Sequence, residues 1–337
     1  MDERIVHIVK KFYENKLFTH AYIEYGFFKL PNSAYIYELY EDNSRYLFDL
    51  ASITKAIVTT PLCVKLHLEH VINLSSELGN YLSNTILALT FIDLLTHTSG
   101  LPAWRNFYIC RSDTNDFVEQ WDETWFIKRL NSCVSCILNN KGKRTYSDVG
   151  FMLLGYVLEK IMSSSLSELF NRFCSNDLNM NLSKKKLGYA PYVDKNKCIS
   201  TGFCRLRNRE LIGEANDENC VSLGGIMGHA GLFGSGKALR YFLNNFIDSV
   251  VCVELQKYWN NDICLGWQKS NDKITQHLFG TRAYGHYGFT GTSFWINFID
   301  QRLPYCIILT NRTINKRDNP LIKEFRLELF KQINSLI

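Results

Sequence analysis

A serine and a lysine three residues apart, in Ser52-Ile-Thr-Lys55, form the pair in this sequence best suited to covalent chemistry. Three residues is just under one helical turn. If a helix begins at Ser52, the amine shares a face with the hydroxyl and can reach it. A helix start also adds positive potential and free N–H groups beside the oxygen. Such a pair suits a nucleophile that is acylated and then released. The spacing alone carries little weight, because about one such match is expected by chance at this length. Ser183-Lys-Lys-Lys186 matches equally well, in a stretch too polar for a buried site.

The residues that follow Ser52 separate the two matches. Tyr146-Ser147-Asp148 comes next, then Gly285-His286-Tyr287-Gly288-Phe289. In this ordered set the chain resembles the serine β-lactamase and penicillin-binding-protein superfamily, specifically its class C β-lactamase-related, esterase-like branch. That family carries S-x-x-K, then Y-x-N or Y-S-D, then K-T-G or H-T-G. The likeness extends through Phe48 to Lys55, Asp93 to Leu101 (DLLTHTSGL), Tyr146 to Gly155, Glu214 to Leu232, and Leu309 to Arg312. These blocks run in order over roughly residues 46 to 312.

The resemblance implies an α+β fold of the β-lactamase and penicillin-binding-protein type. In it an antiparallel sheet is flanked by N- and C-terminal helices and carries a largely helical insertion. It implies Ser52 as the acylated nucleophile, with Lys55 and Tyr146 moving its proton and Asp148 and His286 completing the catalytic set. The backbone N–H groups of Ser52 and Phe289 would form the oxyanion hole. Tyr287, Gly288, Asp217 and Asn219 are candidate substrate contacts, although Asp217 and Asn219 equally suit a loop cap. The expected partner is a small ester, amide or peptide-like substrate, handled without metal or cofactor. Carboxylesterase-like hydrolysis leads, with D-alanyl-D-alanine-type peptidase and β-lactamase as alternatives. A catalytically silent binding module on the same scaffold would be expected to lose the serine or the lysine, and both are present.

Several positions depart from the family pattern. Lysine and tyrosine both titrate near 10, so a base working at neutral pH needs a shift of about three units, or about 4 kcal/mol. Asp148 stands where one branch has a neutral amide, and an ionised Asp148 would hold Lys55 protonated. Lys55⁺ would in turn favour a tyrosinate, which makes Tyr146 the expected immediate base. His286 replaces a lysine and is largely neutral at pH 7, which favours an ester or neutral amide over a carboxylate-bearing substrate. Tyr287 stands where threonine is usual and is expected to narrow or reshape the pocket. Asn216 stands where the family often has histidine. His97 and His229 read as turn-stabilising, and Trp267 as sheet packing.

These residues need elements to hold them. Residues 2–17 fit an amphipathic helix, with Ile5, Ile8, Val9 and Phe12 on one face. Residues 20–48 suit two or three strands. A helix should start at Ser52 and run past Lys65, bent or broken near Pro61. Helical signals, such as Phe151 to Ile161, continue to about residue 230, between polar loops at 105–120 and 183–219. Cys264 to Gln268, Ala283 to Phe298 and Tyr305 to Thr310 read as strands, and Leu321 to Ile337 as a closing helix. The order predicts one sheet built from both chain ends. A single catalytic domain would span 1–337, with a sheet part at 1–60 and 235–337 and a helical part at 61–234.

Composition excludes other classes. With 337 residues and 46% hydrophobic content, the chain supports a sizeable core. A net charge of +5 from 38 basic and 33 acidic residues falls short of a nucleic-acid-binding face. No secretory h-region and no apolar run of about 18 residues is seen, so a cytoplasmic protein without a membrane partner is expected. Eleven cysteines, an odd number, read as reduced thiols. Cys133 and Cys136 lack a second pair at zinc-ribbon spacing. No G-x-S-x-G elbow supports an α/β-hydrolase, and no H-E-x-x-H supports a metal hydrolase.

Overall fold

The computed structural model describes residues 2–81, 88–110, 117–118, 123–180, 186–260, 263–271, 275, 278–280, 283–312 and 321–337. The second serine–lysine match, Ser183 to Lys186, lies largely outside them.

The sheet draws on both ends of the chain, as the element order predicts. Its six antiparallel strands run, in spatial order, Gln268–Lys269, Ala283–Tyr287, Ser293–Asn297, Pro304–Arg312, Phe18–Phe27 and Tyr35–Tyr40. Phe18–Phe27 pairs with the C-terminal strand (Ala21 opposite Thr310, Tyr25 opposite Cys306) and is buried almost throughout. Strands covered on both faces lean towards continuous apolar runs, and this one is broken by polar side chains at Thr19, His20 and Glu24.

The helices Glu3–Glu14 and Leu321–Asn334 cover one face. The first buries Ile5, Val9 and Phe12, a stripe at helical spacing, and Asp2 caps it by accepting from Arg4 N. The second buries Ile322, Phe325, Leu329, Phe330 and Ile333. Phe325 meets Phe12 and Phe18 at ring distances of 5.3 and 5.2 Å.

The helical region covers the other face. Its central helix, Asp148–Met162, is capped by Ser147, which accepts from Gly150 N, and is apolar on nearly every side. A helix buried all round belongs at the centre of a core. Gly155 lets the 228 loop lie against it: a Cβ there would stand 2.7 Å from Gly228 N. A small sheet of Phe48–Asp49, Leu232–Gly234 and Leu187–Tyr189 brings that loop and the nucleophile turn together.

The helix after Ser52 departs from regularity just before Pro61. A wide turn at Lys55–Thr59 precedes the α-helix Thr60–Leu68, and Thr60 N reaches back five residues to Lys55 O. Pro61 has no N–H and its ring crowds the preceding turn, so the ladder widens there. The Ala56 carbonyl accepts from the Trp267 indole N–H at 3.0 Å instead. The stretch expected as a strand over Cys264 to Gln268 is paired only at Gln268–Lys269. Gly266 turns there at φ 61°, against Thr60, which carries Trp267 under the helix.

Candidate active site

Ser52 sits on a turn fixed from three directions. The buried Asp49 carboxylate accepts from Ala51 N at 2.8 Å and from Asn216 N at 2.7 Å. Thr54 Oγ1 donates to Ala51 O, holding Ala51 at φ 47°. From the sheet, Thr290 Oγ1 donates to Asp49 O at 2.7 Å and Thr292 Oγ1 to Leu50 O at 3.2 Å. Gly288 makes this approach possible, because a Cβ there would lie 2.7 Å from Leu50 O and 2.0 Å from Thr292 Oγ1. Burial pushes the Asp49 carboxyl up to about 6, against its two N–H donors.

Lys55 is fully buried. Its Nζ donates to Ser52 Oγ at 2.8 Å and to His229 O at 3.1 Å, and lies 2.6 Å from Asp148 Oδ1. Burial acts to lower its pKa, but the Asp148 carboxylate and then Tyr146 outweigh it, so the amine is held above its ordinary value. The site at rest is an ammonium paired with a carboxylate.

The Tyr146 ring lies 5.1 Å from Lys55 Nζ and 6.0 Å from the His286 ring, and its phenol interacts with Lys55 and Ser52. The ring is open to solvent on one side while the hydroxyl faces the buried lysine. Burial raises the phenol's pKa; Lys55 opposes this and Asp148 adds to it, leaving it above its ordinary value. The expected pull of Lys55⁺ towards a tyrosinate is present, and burial together with Asp148 exceeds it.

His97 fixes Tyr146 from behind. Thr145 N donates to His97 O at 2.8 Å and Ser147 N to His97 Nδ1 at 3.1 Å, bracketing the tyrosine, and the two rings lie 4.6 Å apart. An accepting Nδ1 places the ring proton on Nε2. Burial, then Lys55 and His286, hold this imidazole neutral.

His286 is buried on the strand Ala283–Tyr287. Burial and then Lys55 depress its pKa to about 3. Its Nδ1 lies 2.6 Å from Tyr287 O and donates to it, which leaves Nε2 as an acceptor without a partner among the described residues. Tyr287 takes the opposite side of the strand, as alternation requires. It packs on Trp295 at 5.1 Å and under the Arg326 guanidinium at 4.2 Å, so it does not narrow the pocket as expected from sequence.

A cavity of about 200 Å³ opens at Ser52, lined also by Phe289, Asp148 and Asp217. Asp217 accepts from His229 Nε2 at 2.8 Å and from Cys220 N at 2.7 Å; burial opposes its ionisation, and His229 more than offsets that. Asn219 is fully buried outside this cavity, accepting from Phe107 N and donating to Arg105 O, which makes it a loop tie. Trp267 packs between Phe246, Trp259 and Phe294. Asp49, Trp104 and Glu218 also line the cavity without having been singled out in the sequence. Asp49 had a faint signal, three residues ahead of the nucleophile; Trp104 and Glu218 had none.

The chain is similar in sequence and in fold to several known proteins. The family described as Beta-lactamase matches residues 43–183. An N-acetylmuramyl-L-alanine amidase of Bacillus subtilis is 27% identical over 324 residues, covering 83% of this chain and 72% of that protein. A Salmonella gallinarum protein, named as a candidate D-alanyl-D-alanine carboxypeptidase, is 24% identical over 82% of this chain and 72% of its own length. The class C β-lactamase of Rhodobacter sphaeroides superposes with a TM-score of 0.65 at 14% identity, covering 99% of each chain. The fold is that of the class C β-lactamase and penicillin-binding-protein structures, and the likeness to the Beta-lactamase family runs over residues 43–183.

Proposed function

We propose that this chain is an acyl hydrolase in which Ser52 attacks the carbonyl of an ester or neutral amide. The observation that carries this reading is the 2.8 Å contact between Lys55 Nζ and Ser52 Oγ at the mouth of a cavity, with the Tyr146 phenol beside both. As Oγ bonds to the carbonyl carbon, the Ser52 proton passes to the Tyr146 oxygen in its ionised form, and Lys55⁺ stabilises that anion. The N–H groups of Ser52 and Phe289 receive the oxyanion. The tetrahedral species collapses, the leaving group takes the proton from Tyr146, and water releases the acyl group by the same route.

Neutral His286 supports esters and neutral amides, since it offers no fixed cation to a substrate carboxylate. The amidase relative's name adds support for amides. A peptidase reading follows the second relative's name, but among the described residues lining the cavity a terminal carboxylate would meet no lysine or arginine.

The test is intact-mass spectrometry after exposure to a p-nitrophenyl ester, a fluorophosphonate and a penicillin. An adduct on Ser52, absent from Ser52→Ala, is expected with the ester and the fluorophosphonate. A protein that stays unmodified by all three is not the hydrolase described here.

A further inference from the structure

The strand Ala283–Tyr287 turns into Ser293–Asn297 through Gly288 to Thr292, and this turn carries Phe289 into the wall of the cavity at Ser52. The turn is held from within: Gly288 N donates to Thr292 O at 2.8 Å and Gly291 N to Gly288 O at 3.2 Å. It is also held from the C-terminal helix. Arg326, half-buried on Leu321–Asn334, lays its guanidinium on the Tyr287 ring at 4.2 Å. Its Nη2 donates to Gly288 O and to Thr292 O, each at 3.2 Å.

Gly288 O and Phe289 N–H belong to one peptide unit. The unit is planar and trans, so its carbonyl and its N–H point in opposite directions. Anchoring the oxygen towards the helix therefore aims the N–H the other way. A cationic donor on that oxygen also polarises the unit and strengthens its N–H as a donor. The peptide before Ser52 follows the same plan: Ala51 O, which shares a unit with Ser52 N–H, accepts from Thr54 Oγ1 at 2.6 Å and from Thr54 N at 3.0 Å. Both carbonyls are tied down, and the tie on Gly288 carries a full positive charge.

We propose that Arg326 is a positioning residue of the oxyanion hole, orienting and polarising Phe289 N–H through the Gly288–Phe289 peptide. This rests on the acyl-hydrolase reading above, in which Ser52 and Phe289 supply the two donors. Arg326 is not among the described residues lining the cavity, so it acts through the peptide. Its effect falls on the tetrahedral species, where the negative oxygen exists, rather than on the bound substrate.

The experiment compares the wild type with Arg326→Lys, Arg326→Gln and Arg326→Met. Active sites are titrated with a fluorophosphonate, so that unfolded protein does not enter the rates. Arg326→Met should lower kcat for a p-nitrophenyl ester by about tenfold to a hundredfold with KM little changed, somewhat less than loss of a donor itself. Phenylboronic acid, which closes on Ser52 as a tetrahedral anion, should lose affinity by a similar factor. Arg326→Lys keeps the charge without the planar fork, and Arg326→Gln keeps N–H donors without the charge. Each should recover part of both losses. A packing role alone would lower the melting temperature and leave kcat per titrated site and boronate affinity at wild-type values, which overturns the proposal. A loss confined to KM overturns it too. If Arg326→Met yields no titratable protein, the lysine and glutamine variants carry the same comparison. A wild type that takes no label on Ser52 overturns the hydrolase and the positioning together. A labelled wild type whose kcat and boronate affinity are indifferent to the substitutions overturns the positioning alone.

Discussion

The Lys55 ammonium lies 2.6 Å from the Asp148 carboxylate while donating to Ser52 Oγ at 2.8 Å. The amine that touches the nucleophile is thus kept from being its base at rest. Tyr146, the other candidate, is held above its ordinary pKa by burial. With both groups raised, the fraction of enzyme holding a free base grows with pH, so kcat/KM should rise from pH 7 into the alkaline range. Asp148→Asn removes the charge that raises both values. Its acidic limb should move to lower pH by about one to two units. A pH–rate profile unchanged by the substitution would remove Asp148 from the proton inventory. A wild-type plateau already at pH 7 would mean the serine proton ends on Asp148.

His97 offers a test of positioning. It makes no hydrogen bond to a reacting atom of the proposed chemistry, yet two hydrogen bonds from the residues flanking Tyr146 and a contact with its ring hold the tyrosine in place. His97→Ala should lower kcat by about tenfold to a hundredfold with KM little changed, because a misplaced proton carrier costs rate rather than binding. His97→Asn keeps an acceptor for Ser147 N and tolerates φ 61°, so it should recover part of the loss. If asparagine is as damaging as alanine, the imidazole itself takes part in proton transfer.

The neutral state of His286 should appear in acid stability. Its unfolded pKa is about 6.5 and its folded value about 3. Between these the unfolded chain binds the extra proton, so stability is fully present above 6.5 and drains away as pH falls towards 3. Each unit in that window costs about 1.4 kcal/mol, or about 2 kcal/mol by pH 5. His286→Gln has no such titration. Urea unfolding at pH 7 and pH 5 should show the wild type losing about 2 kcal/mol more than the variant. Equal losses would mean that this imidazole is charged in the folded state.

Much of this site was legible because its chemistry is written in short contiguous blocks. Ser52 and Lys55 sit within one turn, and the glycine after Tyr287 marks where the sheet must approach Leu50. The sheet of both chain ends followed from the order of elements. What stayed hidden depends on direction and on which distant segments the fold brings together. Tyr287 and His286 are neighbours in sequence and occupy opposite sides of a strand, and no local pattern says which side faces Ser52. Asn219 stands two residues from Asp217 yet turns away to tie Phe107 and Arg105. The cavity wall draws on residues 49, 148, 217 and 218, which only the fold assembles.

The wide turn at Lys55–Thr59 gives a last prediction, one about stability. In a regular helix the Ala56 carbonyl would accept from Thr60 N, but that N–H is committed to Lys55 O. Five residues on stands Pro61, which has no N–H to give. The indole of Trp267, 211 residues away, donates to Ala56 O at 3.0 Å. Trp267→Phe keeps most of the apolar contact and removes the donor, leaving a buried carbonyl unpaired at a cost of about 1–3 kcal/mol beyond the smaller ring's packing loss. Pro61→Ala in that background restores an N–H one turn from Ala56 and lets the ladder close regularly. The double variant should therefore recover stability relative to Trp267→Phe alone in urea melts. If the two substitutions simply add, the proline and the indole are not linked through that carbonyl.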